Sequence, residues 1–434
     1  LSVNEFASFG LLYALQQGLT TFALAGIVEA VIGSLKDHQV PEQRAWLFAN
    51  AQVAFLLETI CAIVFALLVL IFFFDGSNLS MLTYASVLCG GTFLALASFH
   101  TQIVRLEEKH LLSVLFLFAP AFGGFIGGFV AVFFERTAGA FFIGSAAGIL
   151  LPLLGLSVSH PYYKLVVVRS REIRKILWRA APFIGIAILG WLGGYGNNYI
   201  IDYIFMHDDV AKFTFALSLS SVMLLISVSL NQVWSPRFYR MIHERPFKEV
   251  ERYNRTFFRL VSLVLGFVGG MVIVVFSWVL ALFGGNLLAY QYMNLELSLL
   301  FAGYVVLIPW WQCCNHLLAH AMGTSMLNIT LITSAIGICV WVVLMYLLGS
   351  IGIYLGFFIQ MIVRSIGIFL AARRNWPVNV SWAGILTGLF MISIGFVFAS
   401  LSITTAVAVV FYFLIAIALI ITFFRHDFVR LVIR

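Results

Sequence analysis

The sequence predicts an all-α integral membrane protein with about 13 transmembrane helices, and composition, long apolar runs and the placement of the basic residues carry that prediction. Of the 434 residues, 62% are hydrophobic and 10% charged, against roughly 45–50% and 25% in a soluble domain. So few charges cannot cover a water-facing surface, whereas lipid solvates an apolar exterior. The apolar runs are continuous, which excludes the alternating pattern of a membrane barrel and leaves helices as the way to satisfy the backbone in lipid. A span needs roughly 20 apolar residues.

Taken in order, the spans fall at 10–35, 46–74, 81–104, 111–134, 139–158, 177–205, 211–234, 258–283, 295–321, 326–348, 351–372, 380–400 and 404–424. Alternate connections hold the cations: 36–45, 105–110, 159–179, 235–259, 373–379 and the tail together carry 22 of the 25 Lys and Arg residues. The positive-inside rule places these segments and the C-terminus in the cytoplasm. Leu1 then falls outside, and one further helix before it would return the N-terminus to the cytoplasm and give 14 spans. The net charge of +7 is a topology signal and not a nucleic-acid surface. The five cysteines lie in apolar runs without metal-ligand spacing and read as small buried hydrophobes.

The basic segment 160–176 divides the chain. An N-terminal lobe at 1–159, lacking its first helix, precedes it; a C-terminal lobe at 177–372 follows, then two extra helices and a cytoplasmic tail at 373–434. Two equivalent halves are a common transporter plan with the site between them. Val166–Arg174 and Pro236–Asn254 mix apolar and basic residues and read either as membrane-surface segments or as ordinary cytoplasmic loops.

Three passages carry a family resemblance. They are "LSVNEFASFGLLYAL", "GIVEAVIGSLKDHQVPEQRAWLFANAQ", and "RAAPFIGIAILGWLGGYGNNYIIDYIF" followed by "FTFALSLSSVMLLISVSLNQVWSPRFYR", with Pro182, Asp202, Trp234 and Pro236 at the expected places. The chain resembles the Wzx-type polysaccharide flippases of the superfamily that also holds the MATE multidrug exporters and the lipid II flippase. It departs from that pattern at Ala7, where Gly is common, and at Tyr203, where a basic residue is frequent. The resemblance implies two six-helix lobes in a V around a central cavity. It implies a flippase of polysaccharide (O-antigen) biosynthesis in the bacterial inner membrane, moving undecaprenyl-diphosphate-linked oligosaccharide by alternating access. Membrane lipid, a polysaccharide polymerase and the chain-length machinery would be its neighbours, and no cofactor is implied.

Ionisable groups inside a membrane are costly and face a cavity or a partner. Arg364 lies deep in its span with Gln360 one turn away; it is either a cavity cation matched to a diphosphate or half of a salt bridge, for example to Glu29. Gln312, His316 and His320 share a helix face with Asn315 beside them, and line a cavity or bond between helices. Asn197 and Asn198 follow a Gly-rich turn and complete the substrate-binding candidates; Glu29, Glu58 and Asp202 are the candidates for ion coupling. Trp310 and Trp311 are candidates for stacking on sugar, against an interfacial role. No Walker loop, nucleophile elbow or zinc motif is present. Two alternatives remain: a MATE-type drug/cation antiporter, which calls for an acidic cavity, and a membrane glycosyltransferase or polymerase, which calls for a large outer loop. The longest outer loop here is short, Gly284–Glu296.

Overall fold

The computed structural model describes residues 1–35, 41–74, 79–107, 109–159, 169–205, 207–320, 323–401 and 404–424. They are helical almost throughout, with no strand among them. Eleven of the described helices are long and apolar enough to cross a membrane, or twelve if the bent pair Ser170–Ala181 and Phe183–Leu192 is one span. The chain is a multi-pass membrane protein, and its contacts divide it into two compact units, Leu1–Ala211 and Lys212–Arg434.

The first unit holds α1 (Val3–Ala23), α2 (Ile27–Leu35), α3 (Pro41–Phe74), α4 (Met81–Leu106), α5 (His110–Phe134), α6 (Ala138–Ser159), α7 (Ser170–Leu192) and α8 (Asn197–Ile204). The expected span 10–35 is not one helix. It breaks at Gly26, whose φ of +78° is a left-handed conformation that other residues adopt only with strain. A Cβ there would also meet the Ala180 carbonyl of α7 at 2.5 Å. The expected span 177–205 is likewise divided: α7 bends by 45° at Pro182 and ends in the Gly193–Gly196 turn before α8. Helices in lipid associate through close packing of small residues. On α5 and α6, Cβ atoms at Gly123 and Gly127 would collide with the backbone oxygens of Gly148 and Gly144. On α3, Ala51, Ala54, Ala62 and Ala66 are buried, while Leu56, Ile60, Val64 and Ile71 are exposed on the lipid side.

The second unit holds most of α9 (His207–Glu244), then α10 (Phe247–Phe283), a 3-10 turn Gly285–Tyr290, α11 (Asn294–Val306), α12 (Ile308–Ala319), α13 (Gly323–Leu348), α14 (Ser350–Asn375), α15 (Trp382–Ser400) and α16 (Thr405–Leu419). The basic segment 235–259, expected as a connection, is helical on both sides of the Arg245–Pro246 turn. At 1.5 Å per residue α9 is about 57 Å long, well beyond the ~30 Å hydrocarbon core, so its basic end stands clear of lipid. The span 295–321 is broken at Leu307, because Pro309 cannot continue the backbone ladder. The α15 helix packs backbone-close on α10, where a Cβ on Gly388 would lie 2.6 Å from the Ser262 carbonyl. The Tyr412 hydroxyl of α16 donates to the carbonyls of Gly266 (3.2 Å) and Phe267 (3.0 Å), fastening that helix to α10.

All five cysteines are free, but only Cys313 and Cys314 are buried. Cys61, Cys89 and Cys339 are exposed, which corrects the expectation that all five pack inside. In a membrane the apolar solvent for such a side chain is lipid as well as protein.

Candidate functional site

The polar face of α12 is assembled into a buried network. Gln312 and His316 are 0% exposed and Asn315 1%. Their partner is Glu251 of α10, a residue within the basic segment. Glu251 Oε2 lies 2.9 Å from His316 Nε2, and Oε1 accepts from Gln312 Nε2 (3.3 Å) and from the Asn379 backbone N–H (2.7 Å). Asn254, one turn further along α10, has Nδ2 3.3 Å from His316 Nε2 and accepts from Trp234 Nε1 at 2.9 Å. The Trp234 ring stacks on Phe257 at 4.4 Å. Beside it, Asn315 Nδ2 donates to Asn231 Oδ1 (2.9 Å), and Ser235 Oγ donates to Asn315 Oδ1 (3.0 Å). The network therefore ties α9, α10, α12 and the connection before α15. Phe238 and Trp376 wall the His316 ring at 4.8 and 6.1 Å, and His320 Nδ1 lies 2.9 Å from the His316 carbonyl.

Arg364 stands elsewhere on the same unit, half-buried on α14 and about 16 Å from the Asn375 end at 1.5 Å per residue. Its guanidinium lies 5.5 Å from the Trp310 ring centroid, and its Nε has no hydrogen-bond partner. Among the described residues it forms no ion pair. A cation over an indole face is attracted by the ring quadrupole, which holds the charge without neutralising it. Gln360, one turn away, is 1% exposed and neither of its polar atoms is bonded; its stem packs where Gly337 leaves room. An Arg and a Gln with free hydrogen-bonding capacity are thus one turn apart inside a membrane span.

In the first unit, Asn197 and Asn198 are both 0% exposed. Asn198 Nδ2 donates to the Gly10 carbonyl (3.0 Å), Tyr199 OH to Leu11 (2.8 Å) and Trp191 Nε1 to Ala14 (2.7 Å). These three bonds stitch the α7–α8 turn along α1. Asn197 has neither amide atom bonded. Glu58 is 8% exposed and belongs to an open groove of about 390 Å³ between α3 and α7, where its other neighbours include Phe22, Phe65, Leu177 and Ile188. Asp202 pairs with His207 at 2.5 Å. Glu29 stands in α2, and its side chain lies outside the described residues, as do Val166–Val168 of the first mixed basic segment. Among the described residues no group of three or more His, Cys, Asp or Glu is arranged to hold a metal ion.

The structure thus joins Gln312, Asn315 and His316, and separately places Arg364 near Gln360. The sequence alone does not single out Glu251 and Asn254, because they sit in a run of topology charges. Their spacing is the available signal: Phe247, Glu251, Asn254 and Phe258 recur at three and four residues, the period of one helix face.

No family model and no curated protein matches the sequence. Solved structures do match the fold. The chain is similar to an inward-facing multidrug resistance MATE transporter of the MOP superfamily, with 15% identity over 86% of this chain and 91% of that one and a TM-score of 0.66. It is similar to the lipid II flippase MurJ in an inward closed conformation, with 14% identity over 100% and 94% of the two chains and a TM-score of 0.64. A mutant of the Vibrio cholerae MATE transporter VcmN matches at 13% identity over 86% and 87%, with a TM-score of 0.51. The chain accordingly has the helical membrane fold that these MATE transporters and the lipid II flippase have.

Proposed function

We propose that the protein is a flippase that moves undecaprenyl-diphosphate-linked oligosaccharide repeat units across the bacterial inner membrane by alternating access. Arg364 carries this reading: a cation deep in a span, held by an indole and free of any acidic partner among the described residues. A hydrophilic diphosphate head is the costly part of such a substrate in hydrocarbon, and a guanidinium meets it with bidentate, charge-assisted hydrogen bonds. Gln360 supplies further donors and an acceptor for phosphate or sugar. The likeness in fold to the lipid II flippase MurJ supports a lipid-linked substrate. Gln312, Asn315 and His316 hold α12, and with it Trp310, in place against Arg364; in the first unit Asn198 holds α8 to α1, and the unbonded amide of Asn197 is the group left to meet a polar substrate. The basic segments and the C-terminus face the cytoplasm in this reading. Polymerase and chain-length proteins of the polysaccharide pathway are the expected neighbours.

Binding of a fluorescent lipid-diphosphate oligosaccharide to the detergent-purified full chain tests the contact. Loss of a charge-assisted hydrogen bond is worth about 1.5–3 kcal/mol, so Arg364→Ala should weaken binding roughly 10- to 150-fold. Arg364→Lys should fall between, because an ammonium is not bidentate. Unchanged binding in Arg364→Ala would overturn this assignment.

Glu58 favours a second reading, a drug or cation antiporter, because it places a carboxyl in an otherwise apolar groove. Binding of a hydrophobic amine that depends on Glu58, with no binding of the lipid diphosphate, would support that reading instead.

A further inference from the structure

Between α13 and α14 the second unit carries an open groove of about 460 Å³. The groove exists because Gly367 brings α14 close to α13: a Cβ there would collide with the Thr333 methyl group. One end of the groove is polar and is lined by Ser325, Asn328, Arg374 and Asn375. Away from that end the lining is apolar, through Ile329, Ile332 and Leu370. Ile332 is 60% exposed and Leu370 54%, on transmembrane helices where lipid is the solvent. From Ser325 to Ile332 the groove runs about 10 Å at 1.5 Å per residue.

The polar end is built for an anion. Arg374 is exposed and has no acceptor among the described residues, whereas its neighbour Arg373 lies against the Phe369 ring at 5.8 Å. No acidic residue lines the groove. Ser325 falls in the first turn of α13 and Arg374 in the last turn of α14, so the two helix dipoles offset at this end and the guanidinium supplies the net positive charge. We propose that this groove binds one anionic phospholipid, its phosphate at Arg374, Ser325 and Asn328 and an acyl chain along Ile329, Ile332 and Leu370. A zwitterionic lipid would bring an ammonium next to Arg374 with no acid to receive it, so the groove discriminates by headgroup charge. The apolar wall requires the chain, so a headgroup alone does not suffice. This site is independent of Arg364 and of the transported substrate.

The test uses the detergent-purified full chain and mass measurement of the intact protein with bound lipid. Phosphatidylglycerol and phosphatidylcholine with identical acyl chains are titrated separately onto wild type, Arg374→Gln and Arg373→Gln. Near a membrane surface one Arg is worth roughly a fivefold change in anionic-lipid affinity. Wild type should hold one phosphatidylglycerol about fivefold more tightly than phosphatidylcholine. Arg374→Gln should erase that preference, Arg373→Gln should keep it, and millimolar glycerol 3-phosphate should not displace the lipid. Asn328→Ala should weaken phosphatidylglycerol in the same direction. Equal binding of the two lipids to wild type, equal loss in both Arg variants, or displacement by glycerol 3-phosphate would overturn the proposal. Binding is read without transport, so failure of the flippase reading leaves this result intact.

Discussion

Replacing Glu251 with Ala should unfasten α10 from α12 and from the connection before α15. The carboxylate takes a hydrogen bond from the Asn379 N–H at 2.7 Å and pairs with His316 Nε2 at 2.9 Å, with a longer contact to Gln312 at 3.3 Å. Two short bonds to a charged group at about 1.5–3 kcal/mol each give a gross loss of about 3–6 kcal/mol. Relief of the buried carboxylate's desolvation offsets part of this, while the donors left behind in an unexposed site add to it. Removing one partner of a buried pair costs about 3–5 kcal/mol in practice, and the lower figure suits a site with one long contact. In a folding unit the size of Lys212–Arg434, each kcal/mol moves the midpoint by roughly 2–4 °C, so about 3 kcal/mol is a fall of about 6–12 °C. The assay is the temperature at which half of the purified chain stops eluting as a monodisperse peak, in one detergent and at one heating rate. His316→Leu supplies the second half of a double-mutant cycle: once Glu251 is gone, losing His316 should cost much less than it does alone. A Glu251→Ala chain that melts within about 2 °C of wild type, or strictly additive losses, would refute the reasoning.

Four further substitutions probe the frame. Gly127→Leu inserts a side chain against the Gly144 carbonyl and should destabilise by more than the ~1–3 kcal/mol usual for overpacking, whereas Gly190→Ala, with nothing within 4 Å, should be neutral or stabilising by up to ~1 kcal/mol in the same melting assay. Trp191→Phe keeps an aromatic ring but removes the 2.7 Å bond to the Ala14 carbonyl; about 1–3 kcal/mol should be lost in the same melting assay. Tyr412→Phe removes a hydroxyl shared by two α10 carbonyls and should lower the midpoint by a few degrees without changing the oligomeric elution position.

The helical membrane fold was legible because hydropathy acts over whole spans, and a run such as 46–74 has no other way to satisfy its backbone. The breaks were only half legible. Gly26 and Pro309 each stand inside an apolar run, and neither composition nor length says that the chain turns there; at Gly26 a φ of +78° coincides with the close approach of α7. Gln312, Asn315 and His316 stand out by their helical period, and the structure brings them together. Their acid does not stand out, because Glu251 lies among Arg245, Lys248, Arg252 and Arg255 and reads as a solvated loop charge. Only the extension of α9 and α10 past the membrane turns that stretch into a packed helix face. Arg364 was legible as an oddity, a charge deep in a span, while its seat over Trp310 depends on how α12 packs against α14, which the sequence does not state.

Leaflet exchange of a fluorescent undecaprenyl-diphosphate oligosaccharide in proteoliposomes tests the flippase assignment most directly. The full chain is reconstituted as wild type and as Arg364→Ala, at matched protein density and with the membrane potential and ion gradients imposed one at a time. Exchange that requires wild-type protein and falls by about tenfold or more in the variant is the predicted result. No exchange above protein-free vesicles under any imposed gradient, from protein that is monodisperse and correctly folded, would contradict it.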